Sequence, residues 1–123
     1  MDKSDIEKIE KIIQDRKYSR EKLVGNNSKV FKKFIDLDNE TYKDRSLKSL
    51  HKELIALGIS IVINCESCMQ HHLEKALIAG AIESQIIETI EVAIEMGGGP
   101  ATVSSRFALK VLDYYKDKNI NKA

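Results

Sequence analysis

The sequence predicts an all-α fold, a domain of about six helices, on three observations. One proline and six glycines in 123 residues leave little turn-forming material. Apolar residues recur every three or four positions along most of the chain, the period of a helix with one buried face. No segment shows the sustained apolar–polar alternation of a half-buried strand. The length suits a single domain, 1–123, with one core.

Ser4-Asp5-Ile6-Glu7 reads as a capping box, hydroxyl and carboxylate each satisfying a backbone N–H. Ile6, Ile9, Ile12 and Ile13 follow at helical spacing, so the first helix is expected over residues 4–18. Gly25-Asn26-Asn27-Ser28 breaks the pattern and caps a second helix carrying Val30, Phe31, Phe34 and Ile35. Asp38-Asn39-Glu40 reads as a loop or loose turn. Ser46 is placed as N-cap of a third helix, with Leu47, Leu50, Leu54 and Leu57 on one side. Its end, Ile59-Ser60-Ile61-Val62-Ile63, is β-branched and would also suit a buried strand. A strand running into Cys-x-x-Cys would be thioredoxin-like, but that fold needs several strands and a proline facing the cysteines. The one proline, Pro100, leads into a helix instead. Residues 46–63 are therefore read as helix, buried nearly all round.

The next helix is expected over 65–79, closed by Gly80 at its C′ position. Another starts at Ile82-Glu83-Ser84, turns Ile86, Ile87, Ile90, Ala93 and Ile94 inward, and stops at Met96-Gly97. Gly97-Gly98-Gly99-Pro100 suits a tight corner with close backbone approach, and proline fits the first position of the last helix. A phosphate cradle there would need a following Lys-Ser/Thr and a preceding strand; the chain has neither. Phe107, Ala108, Val111, Leu112 and Tyr115 form the last apolar face, and the charged tail 116–123 is expected to fray.

Chemically active side chains concentrate in Asn64-Cys65-Glu66-Ser67-Cys68-Met69-Gln70-His71-His72, which holds both cysteines and two of the three histidines. A twelve-residue run without a charge, 54–65, leads into it. If Cys65 opens the helix, about 100° per residue puts Cys65, Cys68, His72, Ala76 and Ala79 on one stripe. His71 then points well away, with Ser67, Gln70 and Glu74. A helix N-terminus, an imidazolium and a Cys-x-x-Cys spacing each lower a thiol's pKa. Positions i and i+3 are neighbours, so the pair can cycle between dithiol and disulfide. His72, four residues beyond Cys68, can accept and return a proton. The stretch reads as a redox site. Tetrahedral zinc wants four ligands, and the chain has no second Cys-x-x-Cys or His-x-x-x-His, only His51 besides. A purely structural disulfide over so short a loop gains little entropy.

A formal charge of +1, from 20 basic and 19 acidic residues, gives no electrostatic footprint for nucleic acid. Charges alternate in sign along the apparent helices, as on solvated faces. The longest uncharged run is shorter than the roughly 20 residues that cross a bilayer, so no membrane association is expected. The polar start Met1-Asp2-Lys3-Ser4-Asp5 does not resemble a signal peptide. The expected location is therefore the cytoplasm, where a Cys-x-x-Cys is more often catalytic or metal-binding than a staple.

Together these pieces resemble the alkylhydroperoxidase D-like branch of the carboxymuconolactone decarboxylase family, whose signature is Glu-x11-Cys-x-x-Cys-x-x-x-His. Glu53, Cys65, Cys68 and His72 occupy all four positions. Leu77-Ile78-Ala79-Gly80-Ala81 and Met96-Gly97-Gly98-Gly99-Pro100-Ala101 look like two further landmarks, and the resemblance spans residues 46–115. Spacing alone does not select Glu53, which otherwise reads as a helix-surface carboxylate and the last charge before the uncharged run. On one continuous helix it would stand about 18 Å from Cys65, so the two meet only if the chain turns between them.

The resemblance implies a thiol-dependent hydroperoxidase or disulfide oxidoreductase. Cys68 would attack the peroxide and become a sulfenic acid. Cys65 would supply a proton and then resolve it as the Cys65–Cys68 disulfide. Glu53 and His72 would form the proton relay, and an external dithiol donor would restore the thiols. No cofactor beyond the redox-active disulfide is implied. The better-studied peroxidase carries a histidine immediately before its second cysteine; Ser67 stands there in this chain, and His71, on another face, does not replace it. Family members assemble as homo-trimers or homo-hexamers, and Leu77 and Ile78, off the site stripe, are compatible with that. Two other classes stay open: a decarboxylase-type lyase using Glu53 and His72 on a small carboxylate, and a non-enzymatic metal-binding or scaffold domain.

Overall fold

The structure, a computed structural model, describes residues 1–118, and among them six α-helices and no strand are found. The all-α expectation holds. Helix α1 (Lys3–Gly25) is capped by Asp2, whose carboxylate accepts the Ser4 N–H and the Ser4 hydroxyl, each at 2.8 Å. The expected Ser4–Glu7 box is displaced because a carboxylate one residue ahead of the helix meets both the free N–H groups and the positive end of the dipole. The helix continues past residue 18 because no glycine or proline interrupts it before Gly25.

Helix α2 (Lys29–Thr41) starts where expected, with the Ser28 hydroxyl accepting the Phe31 N–H at 3.1 Å. Asp38-Asn39-Glu40 is its last turn, not a loop. The Lys52 ammonium caps this end by donating to the carbonyls of Thr41 at 2.9 Å and Lys43 at 2.8 Å. That cap comes from the next helix and leaves no local trace in the sequence. Helix α3 (Ser49–Val62) begins after Lys48, not at Ser46, with the Asp44 carboxylate accepting the Ser49 N–H at 2.7 Å. It buries Glu53, Leu57, Ser60 and Ile61. It is not buried all round: Ile55, Ile59 and Val62 lie exposed on its outer flank, beside Val92 and Met96 of α5 (Glu83–Gly97). Together with Ile63 they border an apolar groove of about 510 Å³.

Helices α4 (Glu66–Ile78) and α6 (Gly99–Asp117) complete the chain. Gly80 follows α4 at φ +111°, as a C′ glycine should. The α5–α6 corner is as tight as expected: Gly98 has φ +67°, and a Cβ on Gly97 would lie 2.7 Å from that of Ala101. The last helix reaches Asp117, so the expected fraying does not begin at Lys116; residues 119–123 lie outside the described residues.

The core joins Leu57 and Ile61 of α3, Met69, Leu73 and Ala76 of α4, Ile86 and Ile90 of α5, and Phe107, Ala108 and Val111 of α6. Fully burying each large aliphatic among them contributes about 1.5–3 kcal/mol. Helix α3 packs most extensively on α4 and then on α5, while α1 lays Ile9 against the core. Helix α2 rests chiefly on α1 and has no buried residue. Among the described residues no helix is long and apolar enough to cross a membrane.

Candidate functional site

The site begins at a sharp turn. After α3 the chain reverses at Asn64, whose φ of +56° is left-handed. Asparagine tolerates that conformation better than other residues with a Cβ. The Asn64 N–H donates to the Ile61 carbonyl at 3.1 Å and the Cys65 N–H to that of Ser60 at 2.9 Å, which locks α3 and α4 into a hairpin. Cys65, extended at φ −100° and ψ 96°, caps α4, and its Sγ accepts the Cys68 N–H at 3.2 Å. Cys65 and Cys68 are joined by a disulfide, their Cα atoms 5.2 Å apart. The Cys65 sulfur thus meets a free N–H at the helix start, and both cysteines lie in the first turn, at the positive end of the dipole, the setting that favours a thiolate on reduction.

The hairpin also brings together the two residues predicted to move protons. Glu53 Oε1 and His72 Nδ1 are 2.8 Å apart, with Glu53 only 5% exposed. When Nδ1–H donates to the ionised carboxylate, Nε2 is left free to take a proton. The Tyr42 ring lies 5.5 Å from the His72 ring. Burial first, then the charges of Glu53 and Asp38, push the Tyr42 phenol above its ordinary pKa.

A cavity of about 600 Å³ lies under α1 and α2 and against the start of α4. Cys68, His71 and His72 face it, Phe31, Phe34 and Ile35 of α2 form an apolar wall, and Arg16 lies on the α1 side. Cys65 and Glu53 do not line it. The disulfide is therefore asymmetric, with Cys68 toward the cavity and Cys65 behind it at the helix cap. A volume of this order accommodates an organic molecule well beyond the size of water.

His71 departs from the sequence expectation. It lines the same cavity as Cys68, and its ring meets the His72 ring edge-on at 5.0 Å. On the helix it is about 60° from Cys68, and a cavity roofed by two helices is wide enough to reach both. Burial, then the neighbouring His72 and the positive charges of Arg16 and Lys75, lower its pKa to about 4. It is a neutral imidazole at neutral pH.

Four contributors to the site carry no motif signal: Arg16, Gln70, Tyr42 and Tyr115. Arg16 donates to the Ser67 carbonyl at 2.7 Å, to its hydroxyl at 2.8 Å, and to Gln70 Oε1. Gln70 is fully buried and its amide donates to the Tyr115 hydroxyl at 2.6 Å and to Glu74 at 3.2 Å. The one trace of this network in the sequence is a polar Gln70 beside Met69 and Leu73 on a helix that must bury an apolar face. Among the described residues no three His, Cys, Asp or Glu side chains are placed to hold a metal ion.

The sequence profile of the carboxymuconolactone decarboxylase family matches residues 28–111, more than half of the chain. An uncharacterised protein of the cox locus of Paracoccus denitrificans is 38% identical over 80 residues, covering 65% of this chain and 72% of that protein. An uncharacterised protein of Cupriavidus necator is 36% identical over 77 residues, covering 63% of this chain and 66% of its own length. The fold is similar to the apo crystal structure of a carboxymuconolactone decarboxylase family protein from Legionella pneumophila. The TM-score is 0.80 at 25% identity, covering 94% of this chain and 98% of that one. It is also similar to a family protein of Thermotoga maritima described as having a possible involvement in antioxidative response. There the TM-score is 0.80 at 28% identity, over 91% of this chain and 97% of that one.

Proposed function

Since the chain belongs to the carboxymuconolactone decarboxylase family, we propose that it is an enzyme of the thiol-redox kind, a thiol-dependent hydroperoxidase or disulfide oxidoreductase with an antioxidant role. The observation that carries the reading is the Cys65–Cys68 disulfide at a helix start, with Cys68 on a cavity beside a Glu53–His72 couple. The possible involvement in antioxidative response described for the Thermotoga relative supports it.

The cycle starts from the dithiol. Nε2 of His72, its other nitrogen held by Glu53, takes a proton from the thiol pair. The Cys68 thiolate attacks the terminal oxygen of a hydroperoxide, the O–O bond breaks, and the alkoxide takes the proton back from His72 Nε2 and leaves as the alcohol. The Cys65 thiol then attacks the Cys68 sulfenic acid, releasing water and forming the disulfide. A dithiol donor, protein or small molecule, returns two electrons and two protons by exchange and is itself oxidised. Cys65 closes the ring without moving far, since it already sits one turn from Cys68. We place this chemistry in the reducing cytoplasm and in a homo-trimer or homo-hexamer. The exposed row of Ile55, Ile59, Val62, Ile63, Val92 and Met96 is the surface a second copy would cover.

The test is thiol counting on the reduced protein before and after one equivalent of hydroperoxide, with the intact mass. Loss of both thiols and of two hydrogens supports the pair as reactant; unchanged thiols refute it. A second reading has one observation in its favour: the Glu53–His72 couple could move protons on a small carboxylate without either sulfur. Turnover of such a substrate surviving in a Cys65→Ser/Cys68→Ser protein would select that lyase reading.

A further inference from the structure

The two residues between the cysteines, Glu66 and Ser67, are both held by α1. Lys8 reaches Glu66 at 3.0 Å, but the pair is solvated, with side chains 50% and 40% exposed, and contributes little. Arg16 is different. Its half-buried guanidinium spans Ser67 and Gln70, one turn apart on α4, and Gln70 is in turn anchored to Tyr115 of α6. The planar fork of an arginine, with five N–H donors, serves acceptors one helical turn apart at once and keeps its charge.

We propose that Arg16 is a positioning residue for the redox pair: it fixes the Cys65–Cys68 turn against α1 and sets a permanent positive charge on the cavity that Cys68 faces, favouring its thiolate. The proposal rests on the redox reading above. It explains how the chain works with Ser67 where a histidine stands in the better-studied peroxidase: Ser67 is a handle for a fixed charge rather than a proton carrier.

Two observations support the electrostatic half. Among the described residues no carboxylate forms an ion pair with Arg16, although Glu74 acts on it at longer range. Arg16 also lines the same cavity as Cys68 and His71, and after burial and His72 it adds to the lowering of the His71 pKa. The same field acts with opposite sign on an anion, so a thiolate at Cys68 gains from it. The other charged or titratable groups on the cavity are Asp15 and Arg20 of α1, Asp38 of α2, and His71 and His72 of α4, with Glu53 of α3 behind His72. Asp15 is already paired with Lys11.

The experiment measures the pH dependence of Cys68 alkylation by iodoacetamide in a Cys65→Ser background, so that one thiol reports and no turnover is needed. Arg16→Gln should raise the midpoint by about one pH unit, and Arg16→Lys should restore most of that shift. A midpoint that stays put in folded Arg16→Gln protein overturns the proposal. So does a shift that Arg16→Lys leaves in place, which would mean that the turn had merely loosened. If Arg16→Gln does not fold, Arg16→Met, which keeps the apolar stem, carries the same comparison. Failure here with intact peroxide chemistry would remove Arg16 and leave the redox reading standing; absent peroxide chemistry would remove the redox reading itself.

Discussion

Glu53 Oε1 and His72 Nδ1 meet at 2.8 Å across 19 residues of chain. The contact depends on the turn at Asn64, which folds α4 back along α3. A buried carboxylate on an imidazole fixes its tautomer and its orientation. On the redox reading, Glu53→Gln keeps the shape and a hydrogen-bond acceptor but loses the charge that steadies the imidazolium. Peroxide-dependent oxidation of a dithiol should fall about 10²-fold in Glu53→Gln and at least as far in His72→Gln. Steady-state rates within a factor of two or so of the parent would leave the couple without a part in the reaction.

The two cysteines should behave differently, because one faces the cavity and the other caps the helix. Cys68→Ser is expected to abolish peroxide consumption. Cys65→Ser should still react once and stop, trapping Cys68 as a sulfenic acid that gains the mass of one oxygen and is captured by a dimedone-type reagent. Trapping on Cys65 in the Cys68→Ser protein instead would reverse the assignment.

The helices around this site were largely legible in the sequence, and the cavity was not. The inward faces of α5 and α6 follow from period alone: Ile86, Ile90, Ala93, Phe107, Val111 and Tyr115 are all buried. Gly80 marked a real helix end and Gly97-Gly98-Gly99 a real corner, because Gly80 and Gly98 take positive φ. Asp38-Asn39-Glu40 misled because the Lys52 cap that extends α2 comes from another helix. His71 was turned away because a helical wheel describes one helix, whereas the cavity is roofed by α1 and α2 and reaches both flanks of α4. Glu53 needed the family signature, since its value to the site depends on a reversal that no periodicity announces.

His71 makes stability depend on pH. Its pKa falls from 6.5 in the unfolded chain to about 4 in the fold, through burial and nearby positive charge. Between those values the unfolded chain binds the proton and the folded one does not, so acidification favours unfolding. This contribution is fully present above about pH 6.5 and is lost progressively as the pH falls toward 4. Urea midpoints should therefore drop across that window, and less steeply in His71→Asn, which cannot take the proton. Equal slopes in the two proteins would show that His71 titrates normally.

The uncharged flank of α3 and α5 gives the last prediction. Ile59 is 56% exposed, Val92 63% and Met96 73%, so an isolated chain would leave large side chains in water along one groove. Contiguous apolar surface of this kind marks a place where a partner docks. A second copy of the chain is the occupant that the homo-oligomer reading requires. Because these side chains already lie outside the core, Ile59→Asp with Val92→Asp should leave the helical circular dichroism signal unchanged. The same substitutions should break the assembly by placing carboxylates in an apolar contact, at a cost of several kcal/mol per buried charge (about 3–5 kcal/mol). Light scattering after size exclusion should then show the parent as a multimer and the double variant as a monomer. A parent that already elutes as a monomer at micromolar concentration would sink the idea.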